Sequence, residues 1–318
     1  MIRFVFLVGV FLSSVAYAAP LRIGVSDSLM SLPVYVAESE GFFAKRGVGV
    51  EIVNCLGGKR CFQNMLDGKT ELSTATELPM VFNSFTRSDF VLLTTFASAS
   101  NHVKVLARSS ERIDAPHKLS NKTLGYVKGS SSQYVLDLVL VYNGIDPGNV
   151  KLKELKPENA LTALANKEVD AVSLWEPFVS RIQQELGSDV QLVPIPKLYT
   201  ESFNLFAMQS VVKNRPQELE RLILALKDST QFIQTHPDKA KALAGKRLKL
   251  PIAMIDRVFD DYRFRLGLNR SLYRTMEGQA RWAIREGHVS KALLQPNYGN
   301  LTNPSFLKKV DPGAVSLQ

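Results

Sequence analysis

ALANKEVDAVSLWEPFVSRI, residues 163–182, is the stretch that decides the fold. A short helix ends near Asn166, Val169–Leu174 is apolar enough for a strand buried on both faces, and polarity returns at Trp175-Glu176-Pro177. Pro177 can open the next helix because its missing N–H would be unpaired in a first turn, and Phe178–Leu186 continues with helical apolar spacing. The unit is helix, strand, helix. In open α/β sheets a ligand sits beyond the carboxyl ends of the strands, which puts Trp175 and Glu176 where a ligand would be met. The plainer alternative makes Trp175 core and Glu176 a solvated carboxylate favoured by the helix dipole.

Leu66–Pro79, LDGKTELSTATELP, repeats the plan. Setting Glu71 against Asp170 aligns Gly68 with Lys167, Thr76 with Trp175 and Glu77 with Glu176, with the prolines one position out of step. Two halves of the chain share one αβ pattern.

Residues 1–18 have the form of a secretory signal: Arg3 supplies the charge, Phe4–Leu12 the apolar run and Ala16-Tyr17-Ala18 the small-residue cleavage site, with Ala19 the expected mature start. The apolar run is about half the roughly 20 residues that a spanning helix needs. The mature length and the 45% hydrophobic content suffice for two modest cores. The net charge of +9 is spread along the chain without basic runs interleaved with aromatics. That pattern argues against a nucleic-acid partner and leans toward an anionic ligand. Cys55 and Cys61 are too few for a disulfide scaffold and lack the companions of a zinc site, so in an oxidising compartment they can pair. His102, His117, His236 and His288 have neither metal nor triad spacing, which speaks against an enzyme.

Leu21–Val25 is a strand, Leu32 opens a helix that Gly47 stops, and Val48–Val53 is the next strand. Phe90–Phe96 and Val103–Ala107 are strands, and Ser109–His117 is loop-like, so the first crossing between lobes is expected at 108–116. Gly129-Ser130-Ser131-Ser132 leads into an apolar helix stopped by Asn143-Gly144. A second crossing is expected at 197–204, which makes 19–108 and 205–318 one discontinuous lobe and 109–204 the other. Beyond Arg215 the pattern predicts helices alone, over Leu219–Ile233, Ile252–Phe264 and Leu272–Ile284, then an irregular tail after Pro296.

LPVYVAESEGFFAKRGVGVEIV, residues 32–53, resembles the N-terminal signature of the nitrate/sulfonate/taurine-type (NMT1/THI5-like) substrate-binding proteins of ABC importers. Trp175-Glu176-Pro177 is similar to that family's Trp-Glu-Pro, and the two repeated units are similar to its two strand motifs. The resemblance implies a two-lobed periplasmic-binding-protein type II fold, each lobe a mixed sheet flanked by helices. It further implies a periplasmic monomer with no cofactor and no reaction of its own, which passes a small-molecule ligand to a membrane permease and its ATPase. Lys167 departs from the family's usual Gly, so the left-handed position is expected at Asn166. Glu71 replaces the more usual Asp.

The Gly-Ser-Ser-Ser turn is the best anion seat in the sequence, because Gly lets the backbone approach and the following N–H groups open a helix. Ser130 as a plain N-cap is the competing reading. Ser28, Thr76, Glu77 and Ser98 end other strands and should meet Ser130, Ser131, Trp175 and Glu176 in one cleft. Carboxylates beside a bare oxyanion would repel it, so a ligand that also carries an amine, such as an aminosulfonate or an amino-pyrimidine, fits better. Two other classes remain open: an enzyme on the same fold, with His102 the histidine at a strand end, and a solute-sensing partner of a membrane receptor.

Overall fold

The structure, a computed structural model, describes residues 19–317. The expected signal segment lies outside the described residues. Twelve strands form two sheets: β1 Leu21–Ser26, β2 Val50–Cys55, β3 Leu72–Thr76, β4 Phe90–Ala99, β5 Val103–Arg108, β6 Thr123–Tyr126, β7 Lys151–Glu154, β8 Ala171–Trp175, β9 Val190–Val193, β10 Glu201–Met208, β11 Tyr262–Asn269 and β12 Val315–Ser316. The larger sheet runs β12-β11-β4-β10-β3-β1-β2 and the smaller β7-β6-β8-β5-β9. Both are mixed: β1 is parallel to β2 and β3 while β10 is antiparallel to β3 and β4, and β6 is parallel to β8 while β5 is antiparallel to it. Helices flank both, as an α/β pattern requires.

The repeat holds at atomic detail. Glu71 Oε2 accepts from Arg22 N at 2.8 Å, and Asp170 Oδ2 accepts from Thr123 N at 2.8 Å. Each acid accepts a backbone N–H at the start of the neighbouring parallel strand, and each is paired with arginine, Glu71 with Arg22 and Asp170 with Arg108. One turn earlier Gly68 has φ 73° and Lys167 has φ 60°. The left-handed position therefore falls on Lys167 and not on Asn166, whose φ is −80°. The same spacing to the start of the strand, Gly68 to Leu72 and Lys167 to Ala171, fixes it there, and Lys is accommodated because its side chain is exposed.

Sheet membership moves the first crossing and refines the second. β5 pairs with β8 and β9, so the chain first leaves the larger sheet at Ser100–His102, before β5, and the expected 108–116 connection lies within the smaller lobe. β10 pairs with β3 and β4 from Glu201 onward, so the return falls within the expected 197–204 crossing and the lobe boundary moves from 204 to just before 201. The region after Arg215 is not all helical. β11, YRFRLGLN, alternates buried and exposed residues and pairs with β4, and Ser305–Val310 adds a helix in the tail.

The larger core is centred on aromatics: Phe62 meets Phe90 and Phe206 edge-on at 5.1 and 5.0 Å. Cys55 and Cys61 form a disulfide, Cα–Cα 5.5 Å, that closes the turn between β2 and the helix Gly58–Leu66. The lobes touch through Arg60–Glu158 at 3.0 Å, Arg181–Asp27 at 3.2 Å and Trp282 Nε1–Asp137 at 3.1 Å. The molecule is closed on itself.

Candidate functional site

Three helices begin at the seam between the lobes, each straight from the end of a strand or its turn: Gly58–Leu66 after β2, Glu77–Ser84 after β3 and Ser131–Tyr142 after β6. Their first N–H groups have no partner within their own helix. A cavity of about 30 Å³ collects their amino ends, with Gly58, Lys59, Thr76, Ser130 and Ser131 on its wall and Ser26 and Ser28 beside them. Trp175, Phe203, Pro79 and His102 complete it. Converging helix amino ends and one lysine make this a site for negative charge.

Two of the hydroxyls also serve the scaffold. Ser130 caps its helix: its Oγ accepts from Ser132 N at 3.2 Å and donates to Val127 O at 2.7 Å. Ser28 Oγ accepts from Met30 N at 3.2 Å. The plain capping role and the cavity position of Ser130 are both present. Lys59 Nζ donates to Lys128 O across the seam at 2.7 Å, and burial lowers its pKa. Gly57 precedes these N–H groups with φ 88° and ψ 146°, and a Cβ there would lie 3.0 Å from Trp175 Cζ2. Only glycine lets the indole cross the seam at that point.

Ser28, Thr76, Ser130, Ser131 and Trp175 are thus brought together, whereas Glu77, Glu176 and Ser98 are not. Glu77 is fully buried beneath the site, where Oε2 accepts from Ser202 Oγ at 2.8 Å and Oε1 from Gln279 Nε2 at 2.9 Å. Burial raises its pKa and these hydrogen bonds oppose the rise. Glu176 Oε1 pairs with Lys104 Nζ at 2.8 Å, and Oε2 accepts from Ser180 N at 3.0 Å, so it caps the helix Phe178–Leu186. Both acids expected to face the ligand are spent on the scaffold. Ser98 lies on the far side of β4, on a groove of about 840 Å³ beside Arg263 and Ser202. That larger groove takes in the amino ends of the helices Pro237–Leu248 and Arg270–Arg285, but of the expected site residues it holds Ser98 alone.

His102 is buried, its Nδ1 is 2.8 Å from Tyr262 Oη, and burial followed by the Lys104 charge brings its pKa down to about 3. A neutral imidazole of such low basicity is a poor proton acceptor near neutral pH. Among the described residues no group of three His, Cys, Asp or Glu could hold a metal ion, and no helix is long and apolar enough to cross a membrane.

Residues 29–240 match the family model described as NMT1/THI5 like. The chain belongs to the NMT1/THI5-like family. A Bacillus subtilis relative named as an aliphatic sulfonates-binding protein is 25% identical over 228 residues, 70% of this chain and 68% of that one. The alkanesulfonate-binding protein SsuA from Xanthomonas axonopodis pv. citri, solved with MOPS, superposes with a TM-score of 0.79 at 18% identity, over 91% of this chain and all of that one. The desulfurization enzyme DszB shares the fold too, TM-score 0.70 at 14% identity, over 91% of this chain and 98% of that one. In this NMT1/THI5-like chain the fold is therefore the periplasmic-binding-protein one, and fold alone does not separate binder from enzyme.

Two residues at the seam escaped the sequence reading. Lys59 was signalled by its place after Gly57-Gly58, in the first turn of a helix. Glu201 is 2% exposed, and its carboxylate oxygens complete no hydrogen bond although the Ser131 hydroxyl lies close enough to favour the charged form. Its signal was the spacing to Phe203, two residues on along β10 and hence on the same face.

Proposed function

We propose that the protein is the solute-binding component of an ABC importer in the periplasm, a monomer that holds a small organic anion of the sulfonate, taurine or nitrate type between its lobes and presents it to a permease and its ATPase. The observation that carries this reading is the convergence of three helix amino ends and Lys59 on one cavity at the lobe seam. Dipoles and N–H donors there stabilise an oxyanion without a full counter-charge opposite it. The cleft mouth adds Arg60, Arg181, Arg247 and Lys249 around a groove of about 720 Å³, which raises the local concentration of anions. The family and the sulfonate-binding names among its relatives point the same way.

The mechanism is lobe closure without chemistry. Ligand bridging both lobes favours the closed arrangement by the contacts that exist only there, Ser130 and Ser131 from the smaller lobe against Ser28, Lys59 and Thr76 from the larger. His102 offers little as a base, which favours binding over catalysis on this fold.

A thermal-shift screen with ethanesulfonate, 2-aminoethanesulfonate, nitrate and, as a cationic control, choline tests the reading. A true ligand at about 100 times its Kd adds about 2.7 kcal/mol and so raises the midpoint by roughly 5 °C. Lys59→Met should weaken the anion that scores. A choline response with none from the anions sinks the proposal.

A further inference from the structure

Glu201 sits at the start of β10, beside the anion cavity. Phe203 on the same strand face lines that cavity, and Glu201 itself lines a neighbouring space of about 20 Å³ together with Tyr199, His102 and Val135. His102 is on the wall of both. The smaller space has room for about one water-sized group. Both Glu201 oxygens and the Tyr199 hydroxyl are buried on that space without a completed hydrogen bond, the Ser131 hydroxyl lying beside the one and Glu77 beside the other. A buried carboxyl left so is costly, and a strongly donating group entering the space removes the cost.

We propose that Glu201 receives an amino group of the ligand, so that the solute is a zwitterion whose anionic head lies on the helix amino ends and whose ammonium lies against Glu201 and Tyr199. This deepens the anion reading and rests on it. Residues two apart on a strand have Cα atoms about 7 Å apart, so a short spacer joins the two charged ends. The requirement for a cation, which the sequence assigns to Glu77 and Glu176, passes to Glu201, because those two acids are already hydrogen-bonded to Ser202, Gln279, Lys104 and Ser180.

The surroundings define the proton balance. Glu77, Tyr199, Tyr262 and the neutral His102 face Glu201, and Lys197 at the rim is held by Asp261 at 3.4 Å. Burial, then the Glu77 charge, pushes the Glu201 carboxyl up to about 8, with the Ser131 hydroxyl opposing, so at neutral pH the empty site holds a protonated acid. When the ammonium enters, the carboxyl ionises to meet it and its proton leaves to solvent. No covalent bond changes.

Titration calorimetry on the full mature chain with 2-aminoethanesulfonate and ethanesulfonate, in two buffers of different ionisation heat, tests this. We expect the aminosulfonate to bind the parent about tenfold tighter or more and to release about one proton. Its affinity should rise with pH toward about 8 while that of ethanesulfonate stays flat. Glu201→Gln should remove the preference and the proton release while ethanesulfonate binding stays within about threefold. Proton release by the parent is read without any variant, so a poorly folding variant does not stop the test. Equal binding of both sulfonates by the parent, or an amine preference that survives in Glu201→Gln, overturns the inference and leaves the anion site standing. If neither sulfonate binds, the anion reading falls and takes this inference with it.

Discussion

Replacing Glu176 by Gln separates a scaffold acid from a ligand contact. Lys104 Nζ and Glu176 Oε1 are 2.8 Å apart, and the two side chains are 9% and 4% exposed. Coulomb attraction at that distance does not convert into net stability, because both ions have given up their water. What can be sized is the cost of stranding one of them, about 3–5 kcal/mol when a buried partner is removed. Gln keeps the shape, and its carbonyl oxygen can still accept the Ser180 N–H, so the helix cap survives and Lys104 alone is left without its counter-charge. The expected loss is the lower end of that range, about 3 kcal/mol, or roughly 6 °C in melting temperature for a chain of this size. Lys104→Met combined with Glu176→Gln should recover most of the loss, since no ion is then stranded. Urea unfolding and thermal melts measure both variants, and titration with the hit from the ligand screen measures binding. A Glu176→Gln protein that melts within about 1 °C of the parent yet loses ligand affinity would refute the scaffold assignment and restore Glu176 to the cleft.

Glu201→Gln also predicts a change in stability with pH. The folded carboxyl lies at about 8 against 4.5 for the free group, so its contribution is fully present below 4.5 and is lost as pH rises to about 8, on the order of 5 kcal/mol in all; the variant should lack this fall, and parallel pH–stability curves for the two proteins count against it. Cys55→Ser with Cys61→Ser should cost about 2 kcal/mol, the loop-closure value for so short a ring, and two thiols reacting in the native parent would show that the bond is not formed. Gly57→Ala forces a Cβ to within 3.0 Å of Trp175 from a backbone at φ 88°. It should cost about 1–3 kcal/mol and hold the lobes apart, visible as a larger radius of gyration by small-angle scattering; an unchanged radius with unchanged affinity contradicts the seam contact.

Local pattern carried the strands that sit between helices. β8, buried on both faces, and the aligned acids Glu71 and Asp170 were legible because each rule acts within a few residues: apolar run, turn, carboxylate, strand. β11 was hidden by its neighbour. Ile252–Phe259 has helical apolar spacing, and a window continued to Phe264 absorbs the switch to period two that Tyr262-Arg263-Phe264-Arg265-Leu266 makes after Asp260-Asp261. β5 was placed in the wrong lobe for a different reason. Its sequence specifies a strand, but which sheet it joins depends on β8 and β9, some 65 and 85 residues away, and no local signal reports that pairing.

The same limit governed the carboxylates. A position at the carboxyl end of a strand says that an acid is near the seam, and Glu77 and Glu176 both are. It does not say what the acid already holds. Gln279 reaches Glu77 from 202 residues away and Lys104 reaches Glu176 from 72, so their satisfaction is a tertiary fact. Glu201 stands at the amino end of its strand, where the rule for parallel sheets gives no reason to look; β10 runs antiparallel to β3 and β4, which brings its beginning to the end where β3 finishes. An antiparallel strand set beside the parallel strands β3, β1 and β2 thus delivers its first residues to the ligand face. That is why the unpartnered acid comes from β10, and why the physical argument for a cationic group survives the transfer from two expected residues to one that was not.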